Sequence, residues 1–292
     1  MSFITINPLS PIPKYKQVIY SIENAITNGV LNKGDQIPSI NSIKNEHHLS
    51  RDTVLVAFND LKNRGVIQSI VGKGYYVLSV DVRVNQKIFL LFDEFNSFKK
   101  DLYNSFMNTM GEHTQIDIFF HHFNNHVFNK LITDNVGDYS AYVIMPASLK
   151  NTSIAISKLP ENKVYILDQL PNELNRYPGV YQNFKKNVYE GLLAMLDNIK
   201  KYQKLVLLYS KVKEPLGILN GFQLFCNEFQ IENEIIDTLK GRIFSKGEIY
   251  FLLEDESLIK VVKEYKEQNF IISQDYGIIS YNDTLLKEII EG

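Results

Sequence analysis

Four polar residues at the start of one predicted helix have the types needed to contact a nucleic acid. The stretch "HLSRDTVLVAFNDLKNRG" (48–65) begins with Ser50, Arg51, Asp52 and Thr53, ahead of any apolar stripe. Short polar and basic side chains at the amino end of a helix can reach base edges and phosphates in the DNA major groove. Serine and aspartate also stabilise a helix start with nothing bound, so the stretch taken alone favours an ordinary capped helix.

A second set of candidate binding residues follows the predicted strands in the later part of the chain. Its members are Asn96, Phe98, His121, Asn124, Asp168, Gln182 and Asp283. Carboxylates and amides bind adjacent hydroxyl groups in pairs, and an aromatic face packs against a sugar ring. We expect these residues to form a small-molecule site, with Asn96 and Asp283 as its main contacts. Each polar member could instead cap the helix that follows it, as Asp283 could cap the last helix.

No pattern of catalytic or metal-binding residues is present. The sequence has no Gly-x-Ser-x-Gly elbow, no phosphate loop and no lysine context typical of a pyridoxal cofactor. Two histidine pairs, at 47–48 and 121–122, invite a metal interpretation. Adjacent residues on a strand point to opposite faces, and no cysteine or Asp/Glu-x-x-His cluster supplies further ligands. We therefore expect no enzyme activity, no metal and no cofactor.

Length and composition are typical of an ordinary globular protein with two domains. The chain has 292 residues, of which 45% are hydrophobic and 22% are charged. Its single cysteine, Cys226, rules out an internal disulfide and fits a reducing compartment. The amino terminus lacks a basic start followed by an apolar run, and no segment approaches the roughly 18 apolar residues of a membrane span. These features predict a cytoplasmic protein with no membrane partner.

Charge is distributed unevenly along the chain. The formal net charge of −2 gives no indication of a polyanionic partner, but residues 1–80 contain eight basic and five acidic residues. The remaining chain is therefore acidic. An asymmetry of this sign favours an anion-binding module at the amino end, although differences of this size also arise by chance.

The first 80 residues have the pattern of three helices and a hairpin. A helix in "PKYKQVIYSIENAITNGVL" ends at Asn28-Gly29, Ser39 caps a second helix, and Ser50 caps a third with an apolar stripe. The segment "VIQSIVGKGYYVLSV" alternates around Gly72-Lys73-Gly74, as expected for a β-hairpin. We predict a winged helix-turn-helix domain over 1–80, in which the third helix enters the major groove.

Residues 81–292 alternate between apolar runs and helical segments, which predicts a parallel sheet covered on both faces. Seven strands are predicted, at 87–92, 116–122, 141–145, 163–167, 205–209, 248–253 and 276–280. Two prolines and a short extended piece, "GVYQN", interrupt the alternation within 168–183. The chain is therefore expected to cross there between two α/β lobes, the first at about 87–182 and the second at about 183–292.

The first domain resembles the GntR family of bacterial transcription regulators over residues 14–77. The resemblance rests on "GD" at 34–35, "IPS" at 37–39, "LSRDTV" at 49–54, and the wing glycines within "GKG" at 72–74. It implies that the chain binds double-stranded operator DNA, with Arg51 on a base edge or phosphate. The implied contact set is Ser39, Asn41, Ser50, Arg51, Asp52, Thr53, Leu55, Lys73 and Gly74, with Ser50 and Thr53 on the DNA backbone and Lys73 in the minor groove.

Two positions depart from that family pattern. Asn41 and Leu55 stand at or near places where the family often has a basic residue. Loss of two cations weakens phosphate attraction and flattens the salt dependence of binding. Leu55 could instead contact a thymine methyl group.

The second domain resembles the sugar-responsive effector domains of LacI-type regulators, which share the periplasmic-binding-protein fold. The segments that carry the resemblance are "PLGILNGFQLFCNEF" and "GIISYNDTLLKEI", although Ile218 stands where the family has an arginine. The same layout occurs in arabinose repressors. It implies a homodimeric repressor of a carbohydrate-utilisation operon, controlled by a small molecule, most simply a sugar. LacI-type domains continue with a strand and helix that return to the first lobe, so we expect a C-terminal part that is shortened here.

Three alternatives remain open at this point. The effector could be a metabolite other than a sugar, or the chain could be a carbohydrate-processing protein with an accessory DNA-binding module. The GntR-type domain could also precede the antiparallel effector fold of that family, but seven apolar strands separated by helices argue against this third possibility.

Overall fold

The computed structural model describes residues 3–10, 12–82, 86–111, 113–282 and 287. The described chain contains a helical domain with a small sheet, followed by two α/β lobes. Asp283 lies outside the described residues. Within the described part of the chain, no helix has both the length and the apolar character required to cross a membrane.

The first domain is a winged helix-turn-helix, as predicted. Its elements are α1 (Lys14–Thr27), β1 (Gln36–Ile37), α2 (Ile40–His47), α3 (Arg51–Asn63), β2 (Ile67–Ile70) and β3 (Gly74–Val77). The strands form an antiparallel sheet in the order β1-β3-β2. The sequence did not predict β1, because a strand of two residues has no detectable periodicity.

One apolar cluster holds these helices and the wing together. On α3 the predicted stripe of Val54, Ala57, Phe58 and Leu61 is fully buried. Between α2 and α3 the chain turns at His48, whose positive φ of 50° ends α2 and directs Leu49 into the same core. Burial of each large apolar side chain contributes about 1.5–3 kcal/mol, so the angle between α2 and α3 is fixed by packing.

Lobe one is a parallel sheet with helices on both faces. Its elements are β4 (Gln86–Phe92), α4 (Ser97–Thr109), β5 (Thr114–Phe120), α5 (Asn125–Asp134), β6 (Ala141–Ile144), α6 (Thr152–Ile156), β7 (Val164–Asp168) and β8 (Gly179–Tyr181). The strand order is β5-β4-β6-β7-β8. The strand β4, which lies between β5 and β6, is apolar on both faces, and its alternate residues belong to two separate cores.

Lobe two repeats this design with four parallel strands. Its elements are α7 (Phe184–Ala194), α8 (Leu196–Ile199), β9 (Lys204–Leu208), α9 (Leu216–Phe229), β10 (Asn233–Ile236), β11 (Glu248–Leu252), α10 (Asp255–Glu267) and β12 (Gly277–Ser280). The order is β10-β9-β11-β12. All seven predicted strands of the two lobes are present. The sequence did not predict β10, which lies at the sheet edge and alternates between exposed and half-buried residues.

The carboxyl end of α3 contacts lobe one directly. Lys62 Nζ lies 2.9 Å from Asp138 Oδ1, and the Ser140 hydroxyl donates a hydrogen bond of 3.3 Å to the carbonyl oxygen of Asn63. Both partners in lobe one belong to the segment that leads into β6. The helix that carries the candidate DNA contacts is therefore joined to the amino-terminal edge of the lobe-one sheet.

Candidate functional site

The start of α3 combines a closed cap with an outward-facing cation. The Ser50 hydroxyl accepts a hydrogen bond from the Thr53 backbone N–H at 3.0 Å, and the two hydroxyls lie 2.8 Å apart. Ser50 and Thr53 therefore stabilise the helix end itself. Arg51 and Asp52 are exposed, and the Arg51 guanidinium has no hydrogen-bond or ion-pair partner among the described residues. Arg51 is thus free to contact an external acceptor.

The predicted residues on and beside α2 are also at the surface. The Ser39 hydroxyl caps α2 by accepting from the Ser42 N–H at 3.1 Å, and Asn41 in the first turn is exposed. Leu55 is partly buried, whereas its neighbour Val56 is 49% exposed. Neither Asn41 nor Leu55 carries a charge, so this surface lacks the two cations that the family often has there.

The wing presents Lys73 at its tip on a fixed backbone. Gly72 and Gly74 have φ values of 74° and 107°, which L side chains rarely adopt. The Gln36 side chain of β1 donates to the Lys73 carbonyl oxygen at 2.9 Å, and the Tyr76 hydroxyl donates to the same oxygen at 3.3 Å. These contacts hold the turn while leaving the Lys73 side chain exposed.

The carboxyl ends of the strands of both lobes open onto one crevice. At its floor is a cavity of about 90 Å³, which adjoins a wider mouth of about 260 Å³. Open α/β folds bind ligands in this position, because the loops after parallel strands converge there. Four of the predicted residues line the floor: Asn96, Phe98, Asp168 and Gln182.

Three of the predicted residues are fixed by local hydrogen bonds at the crevice. The Asn96 side-chain oxygen caps α4 through the Lys99 N–H at 2.9 Å, and its amide nitrogen points to Glu94 at 3.3 Å. Gln182 Nε2 donates to Asp168 Oδ1 at 2.8 Å. Burial raises the pKa of Asp168 above its ordinary value.

Two other predicted residues lie outside the cavity lining. The His121 ring is buried, with Nε2 donating to the Met145 carbonyl at 3.1 Å and Nδ1 accepting from the Phe123 N–H at 3.2 Å. Desolvation lowers the pKa of His121, which keeps the ring neutral. Its role in the structure is to hold the loop that places Phe123 at the crevice. Asn124 caps α5 by accepting from the N–H groups of His126 and Val127.

A buried lysine at the crevice floor was not predicted from the sequence. Lys99 is 6% exposed, and its Nζ lies 3.3 Å from Asp93 Oδ1 and 4.0 Å from Asp168 Oδ2. Lys99 stands one turn after the cap residue Asn96. This position near the start of α4 was the one feature of the sequence that could have identified it as a crevice residue. Its ion pairs with two different strand ends could not be inferred before the sheet order was known.

An ion-pair bridge between the lobes was also missed. Lys213 Nζ lies 3.2 Å from Glu94 Oε2 of lobe one and 2.9 Å from Glu254 Oε1 of lobe two. Burial disfavours its charge, but the hydrogen bond to Glu254 and attraction to both carboxylates raise the pKa of Lys213 to about 12. All three residues lie within about four positions after the end of a predicted strand, which is the same kind of position that selected the other candidates.

Glu214 stands beside this bridge without a compensating cation of its own. Burial, together with the negative charges of Glu254 and Glu94, raises the pKa of Glu214 to about 7. No hydrogen-bond or ion-pair partner of its carboxylate is found within the described ranges.

Close packing of α7 against α9 positions the apolar wall of the crevice. A Cβ at Gly217 would lie 2.8 Å from Phe184 Cβ, and a Cβ at Gly221 would collide with the carbonyl oxygen of Lys185. The two glycines therefore allow the helices to touch. Phe184 at the start of α7 and Ile218 at the start of α9 both line the cavity as a result.

Comparison with known proteins gives separate matches for the two parts of the chain. Residues 14–77 match the model of the gntR family of bacterial regulatory proteins. Over 74 residues the chain is 30% identical to the HTH-type transcriptional repressor YtrA of Bacillus subtilis. This alignment covers 25% of the chain and 57% of YtrA. Over 100 residues it is 34% identical to MngR of Escherichia coli, a mannosyl-D-glycerate transport/metabolism system repressor. That alignment covers 34% of the chain and 39% of MngR.

The two lobes have the fold of LacI-family regulators. A LacI family transcriptional regulator from Enterococcus faecium, solved with bound ribose, superposes with a TM-score of 0.55 at 17% identity. The superposition covers 70% of this chain and 81% of that one. The predicted layout, a GntR-type winged helix followed by a two-lobed periplasmic-binding-protein-like domain, is therefore confirmed.

Proposed function

We propose that this chain, which joins a GntR-type winged helix to a LacI-type two-lobed fold, is a transcription regulator whose operator binding is controlled by a small molecule. The observation that carries the proposal is the unpaired Arg51 on an exposed helix start, beside a wing that presents Lys73. Exposed cations at a helix start and on a wing are the groups that contact phosphates and base edges in DNA.

On DNA, the residues of the winged helix have separable roles. The start of α3 enters the major groove, where Arg51 binds a guanine edge or a phosphate. Ser39, Asn41, Ser50, Asp52, Thr53 and Leu55 surround that contact, and Lys73 with Gly74 approaches the adjacent minor groove. With Asn41 and Leu55 uncharged, Arg51 supplies a large share of the attraction to DNA.

The crevice is the effector site. Its floor offers the amides of Asn96 and Gln182 and the ring of Phe98, which are suited to hydroxyl groups and a ring face. The ribose in the Enterococcus faecium neighbour supports a sugar as the effector and a carbohydrate-utilisation operon as the target. Asp283, which follows β12, is proposed as a further contact.

The regulator acts as a cytoplasmic homodimer that reads two half-sites. A winged helix of this type covers one half-site, so two copies at a fixed separation give the length of a specific operator. The contact of Lys62 and Asn63 with Asp138 and Ser140 transmits lobe movement to the helix that reads DNA.

In vitro selection from fragments of the source genome tests this function. The purified full chain is expected to enrich a site with two related half-sites, and Arg51→Ala is expected to lose that enrichment. Lys201→Ala, which removes an exposed cation in lobe two, is the matched control and keeps it. Failure of the wild-type chain to enrich any sequence would contradict the proposal.

A further inference from the structure

The cavity at the crevice floor has an excess of negative side chains. Two lysines and five carboxylates line it: Lys99, Lys213, Asp93, Glu94, Asp168, Glu214 and Glu254. None of the described residues around it is an arginine. Ile218 contributes an apolar surface at the start of α9.

Both lysines are already neutralised by the protein. Lys99 Nζ is placed between Asp93 at 3.3 Å and Asp168 at 4.0 Å. Lys213 Nζ is placed between Glu94 at 3.2 Å and Glu254 at 2.9 Å. Each cation thus has two carboxylates within ion-pair distance, and neither is left over to neutralise an anionic ligand.

Among the described carboxylates that line the cavity, Glu214 is the one with no cation within ion-pair distance. Beside Lys213, the groups that act on it from the neighbouring loops are Asp93, Glu94 and Glu254, and the Tyr281 ring lies close enough to respond to its charge. Three nearby negative charges and a single shared lysine leave the Glu214 site electrostatically unsatisfied.

We infer that the effector carries a positively charged nitrogen, which binds at Glu214 between the two lobes. The inference rests on the proposed effector site and adds the charge of its ligand. An ammonium group there would donate charge-assisted hydrogen bonds to a carboxylate that receives none from the described residues. The amides of Asn96 and Gln182 remain for neutral polar groups of the same molecule.

The same lining disfavours two other ligand classes. A phosphorylated sugar would bring further negative charge among five carboxylates, and none of the described residues that line the cavity is an unpaired cation that could receive it. A metal ion would need converging ligands, and no group of three or more histidine, cysteine or acidic residues with that geometry occurs in the described part of the chain.

A thermal-shift and calorimetric comparison on the full chain tests the inference. The probes, at millimolar concentrations and near neutral pH, are D-glucosamine, putrescine, D-glucose and D-glucose 6-phosphate. We expect stabilisation by one or both of the ammonium compounds, and none by glucose 6-phosphate. Putrescine reports on an ammonium group without hydroxyls, and glucose reports on hydroxyls without charge.

Two variants locate the binding site. Glu214→Gln keeps the size of the side chain but removes its charge, and is expected to weaken binding of the ammonium probe by about tenfold or more. Glu190→Gln, on the exposed surface of α7, is the matched control and is expected to bind as the wild type does. Far-ultraviolet circular dichroism verifies that both variants fold.

The outcomes separate this inference from the proposed function. Stabilisation by glucose or glucose 6-phosphate in preference to the ammonium probes would overturn the charge assignment while leaving a ligand-controlled regulator intact. Absence of any shift, or ammonium binding that survives Glu214→Gln, would also overturn it. Failure of the wild-type chain to select an operator would instead contradict the proposed function, whichever probe binds.

Discussion

At the scale of single residues, two side chains with unmatched charge mark the two candidate sites. Arg51 is an exposed cation without a partner among the described residues, and Glu214 is a half-buried carboxylate without one. A charge that the protein leaves uncompensated in a surface groove or crevice is available to a ligand, whereas Lys99 and Lys213 are held by their own carboxylates.

Substitution of Arg51 separates base contact from phosphate contact. Arg51→Ala is expected to reduce operator affinity by about 5–150-fold, because a bidentate guanine contact contributes about 1–3 kcal/mol of discrimination. Arg51→Lys keeps the charge but lacks the planar fork, so it restores little binding if the contact is to a base. Fluorescence anisotropy with a labelled operator measures the operator affinity of both variants. Wild-type affinity in the alanine variant would refute the role of Arg51.

Glu214 makes stability depend on pH in a defined direction. Because its pKa is raised in the folded state to about 7 from an ordinary value of 4.5, its favourable contribution is present below about pH 4.5 and is lost as the pH rises towards 7. Glu214→Gln is therefore expected to increase the free energy of unfolding by about 1–3 kcal/mol at pH 8, with a much smaller gain at pH 5. Urea unfolding at the two pH values measures this, and an equal effect at both would contradict it.

At the scale of elements, the sequence predicted the helices, strands and turns whose form depends on local hydrophobic periodicity and on turn residues. The stripe on α3, the glycines of the wing and the buried strands of both sheets follow from such patterns. The strands β1, β8 and β10 were not among the predicted strands, because each is short and lies at the edge of its sheet; β8 was predicted only as a short extended piece. Contacts such as Lys213 with Glu94 depend on how separate lobes meet, which no local pattern encodes.

Substitutions at two glycines test the contact between α7 and α9. Gly221→Ala is expected to destabilise lobe two by about 1–3 kcal/mol, because the added methyl group collides with the Lys185 carbonyl and forces the helices apart. Gly191→Ala, on α7 where the added Cβ meets nothing within 4 Å, is expected to stabilise by about 0.5–1 kcal/mol through helix propensity. Chemical unfolding measures the free energy of unfolding of the two variants. Equal effects of the two substitutions would show that helix contact is not the cause.

The contact between α3 and lobe one is expected to contribute little to stability. Its expected effect is on the coupling between the crevice and the DNA-binding helix. Lys62 and Asp138 are partly exposed, so Asp138→Asn should change the free energy of unfolding by less than about 1 kcal/mol. The same variant should reduce the effect of a crevice ligand on operator affinity. Asp134→Asn, at the exposed end of α5, is the control. A variant with wild-type ligand response would exclude this contact from the coupling.

At the scale of the whole molecule, the proposed regulator has two ligands whose sites lie at opposite ends of lobe one. The α3 contact is at the amino-terminal edge of the lobe-one sheet, and the crevice is at the carboxyl ends of its strands. A ligand can change operator affinity only by binding one lobe arrangement more tightly than another. Lys213, which bridges Glu94 and Glu254, couples the two lobes in the arrangement described here.

The central claim is that operator and effector bind one protein at linked sites, and a reciprocal titration tests it most directly. Operator affinity is measured with and without a compound that binds the crevice, and the affinity for that compound is measured with and without operator. Both affinities are expected to change by the same factor, typically about 5–150-fold. Operator and ligand affinities that are each unaffected by the other would contradict it.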